Sequence, residues 1–440
     1  MNIVFFAIVA VAFVFAGWRQ LAGGAHSGDT TPIEEVSRAV VESAGGAVEL
    51  AIGLIGVMTL FLGLMKVAEK GGLLNVISRL LRPVMVRLFP EVPPDHPAMG
   101  AMILNMSANA LGLGNAATPF GIRAMQELDK LNTRKGTATN AMALFLAINT
   151  SSITLLPTGV IALRASAGSA DPAGILPTTL FATICSTIVG VIAARLYQRF
   201  SPEGPEDHAP VEAASADKEN SLQEDSGQAE EHEYMIEGAS EGYPMWVSMA
   251  ALCMVVVIIP LAVIYGEVIS PWIIPGLVVG FLAYGVIRGV RVYEVFVQGA
   301  KEGFQVAVRI IPYLVAILVA VGMFRASGAL ETMVGLLGPW TSAIGLPADA
   351  LPMAILRPLS GSGAYGVLAS IINDPSVGPD SYVGYLVSTL QGSTETTFYV
   401  LAVYFGAVQV RRIRHTMAAA LTADAAGIMF AVLACTMFLR

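Results

Sequence analysis

The sequence predicts an all-α polytopic membrane protein made of two inverted repeats, with about nine transmembrane helices and two re-entrant helical hairpins. Three observations lead to this prediction: the composition, the spacing of apolar runs, and an order of features that occurs twice. Of the 440 residues, 55% are hydrophobic and only 13% are charged, well below the roughly 25% charged residues of soluble domains. The chain lacks the charged residues that would cover a soluble core, so its solvent is mostly lipid.

Apolar runs of about 18–25 residues mark the expected spans. Nine runs lie near 2–20, 47–66, 138–163, 174–197, 245–265, 270–288, 304–325, 382–409 and 415–438. Two more apolar stretches, 96–131 and 348–373, are broken by glycine, proline and polar residues and are predicted to be the hairpins. Lys and Arg are concentrated in alternate loops, which places the N-terminus in the cytoplasm and the C-terminus outside.

An acidic stretch separates two membrane units. From Glu203 to Glu241 there are thirteen acids and one lysine, a local charge of −12, within a chain whose net charge is −8. The stretch has no apolar periodicity and is rich in Pro, Ser, Gly and Gln, which predicts a disordered linker. The predicted domains are a first membrane unit at 1–200, the linker at 201–243, and a second unit with one extra span at 244–440.

An internal repeat relates the two units. Residues 44–83 align without a gap to 300–339, and nine of the forty pairs are identical, including Gly72 with Gly328 and Pro83 with Pro339. Each unit runs span, amphipathic segment, span, second amphipathic segment, hairpin, span, span. Five crossings separate the starts of the two units, an odd number, so the units are predicted to be inverted. Inverted repeats with interrupted helices are typical of secondary transporters, whose binding site lies near the midplane.

Small polar residues cluster in the hairpins and in the spans that follow them. The first hairpin contains NMSANALGLGNAATPFG (105–121) and the second RPLSGSGAYG (357–366), while NTSSIT (149–154) and GSTETT (392–397) occupy matching spans. Non-helical backbone at membrane depth needs burial in protein or a water-filled cavity. A site for a polar solute is therefore expected, although small polar residues also cap hairpin helices and join membrane helices. The candidate substrate-binding residues are Asn105, Ser107, Asn109, Asn115, Thr118, Asn149, Thr150, Ser151, Ser152, Ser360, Ser362, Tyr365, Gln391, Ser393, Thr394, Glu395 and Thr396.

Glu395 is the sharpest of these candidates. It is the only acid between Asp380 and Asp424, in a span that is predicted to continue unbroken through FYVLAVYFGAV. A carboxylate at that depth costs about 2.5–3.5 kcal/mol on insertion scales and usually carries function. It is expected to bind a coupling ion, a proton or sodium, or a cationic group of the substrate. The other interpretation is a structural carboxylate paired with Arg357 or with hairpin backbone amides.

The hairpin residues resemble a known family. The stretch DHPAMGAMILNMSANALGLGNAATPFGIRAMQEL (95–128) is similar to spore maturation protein A, and PLSGSGAYG (358–366) and STLQGSTETTFYVLAVYFGAV (388–408) are similar to spore maturation protein B. The chain thus resembles a fusion of the two. Both belong to a superfamily with the nucleoside-recognition, or gate, domain, which includes membrane domains of ferrous-iron permeases and is similar to concentrative nucleoside transporters. The resemblance implies an inverted-repeat fold in a bacterial inner membrane, and it implies no substrate.

The expected function is a secondary transporter or channel for a small polar solute of the nucleoside, amino acid or carboxylate class, bound between the two re-entrant hairpins. The alternative is a non-transporting membrane scaffold that acts in envelope or spore maturation. An enzyme is not expected, because HExxH and P-loop motifs are missing from the sequence. No cofactor and no metal are expected, and the hairpins lack the Cys and His ligands of soft transition metals. The expected partners are the solute and the lipid bilayer but not nucleic acid, and self-association into a homo-oligomer stays open.

The linker generates the first testable prediction. Splitting the chain within 203–240 and co-expressing the halves should give two membrane proteins that co-purify, because this stretch lacks the apolar residues needed to offset its ordering entropy. Replacing the stretch with a flexible tether should likewise preserve folding. Halves that fail to associate would contradict the two-unit organisation.

Overall fold

The computed structural model describes residues 2–22, 30–112, 114–201 and 242–439. Its described residues form α-helices and two short 3-10 helices, without a β-strand, as expected for a helical membrane protein. The predicted acidic linker at 201–243 lies almost entirely outside the described residues. Among the residues described, two helices are long and apolar enough to cross a membrane by themselves, Leu176–Phe200 and Thr416–Phe438, so the nine-span topology remains a prediction.

The first unit contains eight helices within the described ranges. They are α1 (Asn2–Leu21), α2 (Pro32–Lys70), α3 (Leu73–Leu88), α4 (Pro97–Ala110), α5 (Gly114–Leu131), α6 (Asn140–Thr150), α7 (Thr158–Ser166) and α8 (Leu176–Tyr197), which continues as a 3-10 turn at Gln198–Phe200. Helix α2 begins with a capping box, in which the Thr31 hydroxyl accepts from the Glu34 N–H and the Glu34 carboxylate accepts from the Thr31 N–H at 2.8 Å. This reciprocal cap satisfies two of the free N–H groups at the start of the helix.

The second unit repeats this order after two additional helices. The additional helices are α9 (Met245–Ile264) and α10 (Gly266–Ile287). The repeated order is α11 (Val292–Ala326), α12 (Ala329–Ser342), a 3-10 turn at Ala348–Ala350, α13 (Leu351–Leu359), α14 (Gly361–Ile372), α15 (Tyr382–Ser393), α16 (Thr397–Ala407) and α17 (Thr416–Phe438). The helices α2 to α8 therefore have counterparts, one by one, in α11 to α17.

The aligned glycines occupy the same turn in both units. Gly72 precedes α3 with a φ of 86°, and Gly328 precedes α12 with a φ of 81°. This left-handed conformation carries a steric cost for residues with a Cβ atom. The identity of these glycines, seen in the sequence alignment, thus has the same conformational cause in each unit.

Two long helices form the largest contact between the units. On α2, Gly63 lies against Phe296 of α11, and a Cβ atom added at Gly303 of α11 would lie 2.8 Å from the Met58 carbonyl oxygen. Farther along, Gly322 of α11 faces Ser43 of α2, so the two helices are antiparallel. Small residues at such crossings let the helix backbones approach closely. In each unit the amphipathic segment and the span that follows it form one continuous helix, rather than the two elements that the sequence predicts.

Helices α8 and α17 also pack antiparallel, and their contacts are reciprocal. A Cβ atom added at Gly190 would lie 3.1 Å from the Cβ of Ala423, and one added at Gly427 would lie 3.7 Å from the Cβ of Ser186. Gly190 and Gly427 are 237 positions apart, and so are Ser186 and Ala423. Exchanging the two units therefore maps one contact onto the other.

One end of the molecule is rich in basic residues. There the loop between α5 and α6 packs against the loop between α16 and α17, and the Ala138 N–H donates to the Arg412 carbonyl at 2.9 Å. The Arg414 guanidinium donates to the Asn140 side-chain oxygen at 3.0 Å. We call this the basic end, and it also carries Arg134 and Lys135.

The opposite end carries acidic loops. The loop between α7 and α8 packs there against the loop between α14 and α15: Asp380 accepts from buried Arg164 at 2.9 Å and from the Ala170 N–H at 2.7 Å. In the same loop, hydrogen bonds from Ser376, together with the guanidinium of Arg325, hold the pKa of Asp374 below its usual range. We call this the acidic end. The loop pairing at the acidic end is equivalent to the one at the basic end. Exchanging the two units converts each pairing into the other.

Two predicted spans are interrupted, so the prediction that the span containing Glu395 is unbroken was wrong. The span predicted at 138–163 stops at Thr150 and resumes at Thr158, and the span predicted at 382–409 stops at Ser393 and resumes at Thr397. In the first, the Ser151 hydroxyl bonds the Ala147 carbonyl and Pro157 ends the gap. Hydroxyl side chains compete for backbone carbonyls and proline cannot donate to the helix ladder, so both favour a break.

The contact between α2 and α11 generates a prediction about stability. Gly303→Val should lower the free energy of unfolding in detergent by about 1–3 kcal/mol, the range of overpacked cores, because the added atoms meet the backbone of α2. Thermal unfolding would measure this change. Gly276→Val is the matched control, since a Cβ there meets open space among the described residues. Equal effects of the two substitutions would contradict the close crossing.

Candidate functional site

The two interrupted helices meet each other. We call residues 151–157 break 1 and residues 394–396 break 2. The Glu395 N–H of break 2 donates to the carbonyl of Thr150, the last residue of α6, at 2.8 Å. Each break leaves backbone groups without helical partners, and this bond satisfies one group from each unit. It also brings together NTSSIT and GSTETT, the two polar segments that the repeat places opposite each other.

The first hairpin closes onto break 1. Helices α4 and α5 pack side by side, and the carbonyl of Ala110, at the end of α4, accepts from the Leu155 N–H of break 1 at 2.8 Å. Gly112, at the turn of this hairpin, has a φ of 77°, and a Cβ atom there would clash with the Leu156 carbonyl. The Asn109 amide also donates to the Asn149 side-chain oxygen at 3.0 Å. The tip of the hairpin is thus fixed to break 1 through backbone and side-chain contacts.

The second hairpin holds break 2 through one arginine. Arg357, at the end of α13 and 5% exposed, donates to the Gln391 carbonyl at 3.2 Å, to the Thr396 hydroxyl at 3.1 Å and to the Thr394 carbonyl. The two carbonyls among these acceptors are backbone groups that the end of α15 leaves without helical partners. A guanidinium presents five N–H donors in a planar fork, which lets one side chain cap the helix and tie it to the hairpin.

Glu395 differs from its prediction in exposure. Its side chain is 45% exposed, and its Oε2 lies 3.8 Å from Arg357 Nη2. The sequence places it in a continuous helix, whereas the break turns the carboxylate out of the packed interior. Glu395 is therefore an accessible carboxylate next to a buried guanidinium. That arrangement can bind a polar molecule with both hydrogen-bond donors and acceptors.

Most of the other predicted residues lie around the breaks and are buried. The residues buried there are Asn149, Thr150, Ser151, Ser152, Gln391, Ser393, Thr394 and Thr396. Ser360 forms the turn of the second hairpin and caps α14, accepting from the Gly363 N–H at 3.1 Å, and Ser362 is half-buried in the first turn of that helix. Tyr365 lies farther along α14, where its hydroxyl would be 2.5 Å from a Cβ atom at Gly159 of α7.

Two predicted residues of the first hairpin, Ser107 and Asn105, contact other helices instead of the breaks. Ser107 was predicted to bind substrate, but it bonds the Ser78 hydroxyl of α3 at 3.0 Å, because it faces α3 rather than the breaks. Asn105 donates to the Ala117 carbonyl at 2.7 Å and to the Tyr404 hydroxyl at 3.1 Å, which joins the arms of the hairpin to α16. Thr118 is half-buried on α5, and the side chain of Asn115 lies outside the described residues.

The sequence prediction missed Asp424. This residue lies on α17, is 3% exposed, and accepts from the Thr397 hydroxyl at the start of α16 at 2.6 Å. The sequence carried a signal, because Asp424 is an acid well inside the predicted span 415–438. The same acid also ends the apolar stretch around Glu395, so the sequence pattern alone gives it the character of a boundary residue.

Comparison with known proteins identifies the family. A family model described as "Gate: Nucleoside recognition" matches residues 51–167 and 307–411, and each matched segment contains one hairpin and one break. The chain belongs to this nucleoside-recognition family. No solved structure matches it.

Two curated relatives are similar to parts of the chain. "Spore maturation protein A" of Bacillus subtilis (strain 168) is 42% identical over 197 residues, which cover 45% of this chain and 95% of the relative. "Spore maturation protein B" of the same organism is 47% identical over 164 residues, which cover 37% of this chain and 91% of the relative. The chain therefore combines regions similar to both proteins, as the resemblance in the sequence predicts.

The hairpin turn generates a prediction. Gly112→Ala should destabilise the protein more than Gly168→Ala, by at least about 1 kcal/mol in thermal unfolding, because its Cβ meets the Leu156 carbonyl. Gly168 is a matched control: its φ is 76°, close to that of Gly112, and its Cβ would meet nothing within 4 Å in the described structure. Equal losses in the two variants would mean that only the backbone conformation, and not the contact with break 1, matters.

Proposed function

We propose that the protein is a membrane transporter or channel for a small polar solute, which binds where the two helix breaks and the two hairpin turns converge. The observation that carries this proposal is the bond between Glu395 and Thr150, because it joins the breaks of the two units at one point. Membrane proteins tolerate non-helical backbone mainly where it is buried or lines a pathway. Secondary transporters place their sites at such discontinuous helices.

The topology that we propose is an inverted repeat with re-entrant hairpins. The α6–break 1–α7 segment begins at the basic end, beside Arg414, and finishes at the acidic end, where Arg164 meets Asp380. The α15–break 2–α16 segment runs in the opposite direction between the same ends. This antiparallel arrangement supports inversion. The concentration of Arg and Lys at one end supports a cytoplasmic basic end, under the positive-inside rule, in a bacterial inner membrane.

The chemistry of the site favours an uncharged or zwitterionic solute with several hydrogen-bonding groups. Hydroxyls and amides dominate the breaks, and the charged groups beside them are Arg357 and Glu395, which are of opposite sign. Nucleosides and amino acids have this character. The description of the matched family makes a nucleoside the first solute to test.

Transport would require the two breaks to separate. In the structure they are closed against each other, with the hairpin turns packed on them. If the Glu395–Thr150 bond broke and the site opened first to one side of the membrane and then to the other, the solute would gain access from alternate sides. The solute's own polar groups would replace the lost hydrogen-bond partners. An ion gradient or the solute gradient would supply the free energy.

A membrane scaffold is the second candidate, and one observation favours it. Most polar groups at the breaks are buried and many already have protein partners, as a static joint would require. Cysteine accessibility separates the two candidates. In a transporter, single cysteines at Ser152 and Thr394 should react with a water-soluble thiol reagent and be protected by solute, whereas in a scaffold they should stay unreactive.

Glu395 provides the direct functional test. Glu395→Gln keeps the shape of the side chain and removes its charge, so the purified variant should fold normally but lose at least about tenfold of uptake into proteoliposomes, the effect of removing a charge-assisted contact of about 1.4 kcal/mol or more. Solutes for the assay would come from comparing metabolites in cells with and without the protein, beginning with nucleosides.

The matched control is Glu302→Gln. Glu302 is similarly exposed, at 49%, and has a similar ion pair, with Lys66 at 3.4 Å, but it lies on α11 away from break 2. Its uptake should equal that of the wild type. Wild-type uptake by the Glu395→Gln variant would refute a role for this carboxylate in transport.

A further inference from the structure

A buried carboxylate lies beside the helix breaks, and one of its two oxygens has no hydrogen-bond partner among the described residues. Asp424 is 3% exposed. Its Oδ2 accepts from the Thr397 hydroxyl at 2.6 Å, while its Oδ1 has no hydrogen-bond partner among the described residues. An ionised carboxylate buried in this way needs a counter-charge or a proton, because the cost of removing it from water otherwise remains uncompensated.

The face of α17 that carries Asp424 lies against both units. One turn farther along, a Cβ atom at Gly427 would be 2.6 Å from the Thr394 methyl group of break 2 and 3.4 Å from the Ser186 hydroxyl of α8. The neighbouring Ala423 carbonyl accepts from that Ser186 hydroxyl at 2.8 Å. Residues three apart share a helix face, so Asp424 belongs to the strip of α17 that supports break 2.

The repeat shows that this acid occurs in the second unit but has no acidic counterpart in the first. Asp424 corresponds to Thr187 of α8, 237 positions earlier, in the register that pairs Gly190 with Gly427. Thr187 donates its hydroxyl hydrogen to the Ser151 carbonyl of break 1. The first unit thus has a neutral donor that satisfies its break directly, whereas the second unit has a carboxyl group at the same place. A purely structural role would be served by a hydroxyl in both units.

Asp424 shares its nearest positive charge with other groups. Arg357 of α13 interacts electrostatically with Asp424, but its donors bond break 2 and it also lies beside Glu395. One arginine thus faces two carboxylates. Glu395 is 45% exposed, so solvent can screen its charge, whereas Asp424 is buried and would be compensated by one added positive charge.

The other helices packed on α17 do not supply that charge. Helix α6 has no titratable residue in its sequence. On α8, Arg195 donates to the Leu88 carbonyl and the Tyr197 hydroxyl bonds Thr422, while Cys185 is a neutral thiol. Tyr404 of α16 bonds Asn105, Tyr382 of α15 bonds Thr436 near the far end of α17, and His415 precedes the first turn of α17.

We propose that Asp424 binds a monovalent cation: either a proton, held on the carboxylate itself, or Na⁺, with the Thr397 hydroxyl oxygen as a second ligand. A carboxylate and hydroxyls are oxygen donors suited to a hard cation. Binding there would neutralise the group next to the start of α16 and so stabilise the closed breaks. Its role as the coupling site of transport rests on the proposed function, whereas the binding itself does not.

The test measures stability rather than transport. The unfolding midpoint of the purified full-length protein in detergent would be followed between about pH 5 and 9, in Na⁺ and in K⁺. A ligand that binds the folded state raises the midpoint. The wild type should be stabilised by Na⁺ relative to K⁺, which identifies sodium, or by lower pH in both salts, which identifies the proton, since neutralising a buried carboxylate favours the folded state. Asp424→Asn should lose this dependence.

Two further variants keep the test decisive. Asp349→Asn removes an exposed acid and should respond to pH and Na⁺ as the wild type does. Thr397→Val preserves the charge and removes the hydroxyl. If the cation is Na⁺, the apparent affinity should weaken about tenfold, the effect of losing about 1.4 kcal/mol of interaction. If it is a proton, the stabilisation should persist to higher pH, because the ionised carboxylate loses a hydrogen-bond donor. Either shift can be measured even if Asp424→Asn fails to fold. A wild type that is indifferent to pH and Na⁺, an Asp424→Asn variant that retains the dependence, or an unchanged affinity in Thr397→Val would each overturn the proposal.

The outcome is separable from that of the uptake assay. Cation-dependent stability that is lost in Asp424→Asn would support the ion site even if no solute were transported, as in a scaffold. Uptake without cation-dependent stability would support the transporter and refute the ion site.

Discussion

Interrupted helices in an apolar solvent must find partners for the backbone groups that each break exposes, and this constraint organises the centre of the structure. The breaks satisfy part of that need between themselves, through the bond from Glu395 to Thr150. Each hairpin supplies more: Ala110 accepts from break 1, and Arg357 donates to break 2. The polar side chains, the glycine at the first hairpin turn and the antiparallel packing of the units all follow from bringing these four segments to one place.

Much of this arrangement could be predicted from the sequence because its signals are local. Apolar composition and the paired polar clusters indicated the helices and the hairpins, whose arms form within a few residues of the predicted stretches 96–131 and 348–373. The alignment of Gly72 with Gly328 reflected a shared turn conformation. The position of NTSSIT opposite GSTETT was also deduced from order alone, since a duplicated order of elements implies corresponding positions in space.

What the sequence did not reveal depends on contacts between distant segments. The breaks at 151–157 and 394–396 lie inside apolar runs, and their backbone groups are satisfied by residues such as Arg357 that are remote from the break. The side-chain direction of Ser107, towards α3 rather than the site, is set by helix packing. Asp424 acquires its importance only when α17 is placed against Thr397 and Thr394. Periodicity reports the face of a helix but not which neighbour covers it.

The central claim is that two antiparallel units face each other at these breaks, and disulfide cross-linking between α8 and α17 tests it most directly. In a protein whose native Cys185, Cys253 and Cys435 are replaced, the pair S186C with G427C should cross-link, because the two Cβ positions are 3.7 Å apart, within the disulfide range. Its counterpart under exchange of the units, G190C with A423C, should also cross-link, whereas the outward-facing pair I188C with M429C should not. Failure of both reciprocal pairs, or equal cross-linking of the outward-facing pair, would contradict the antiparallel arrangement.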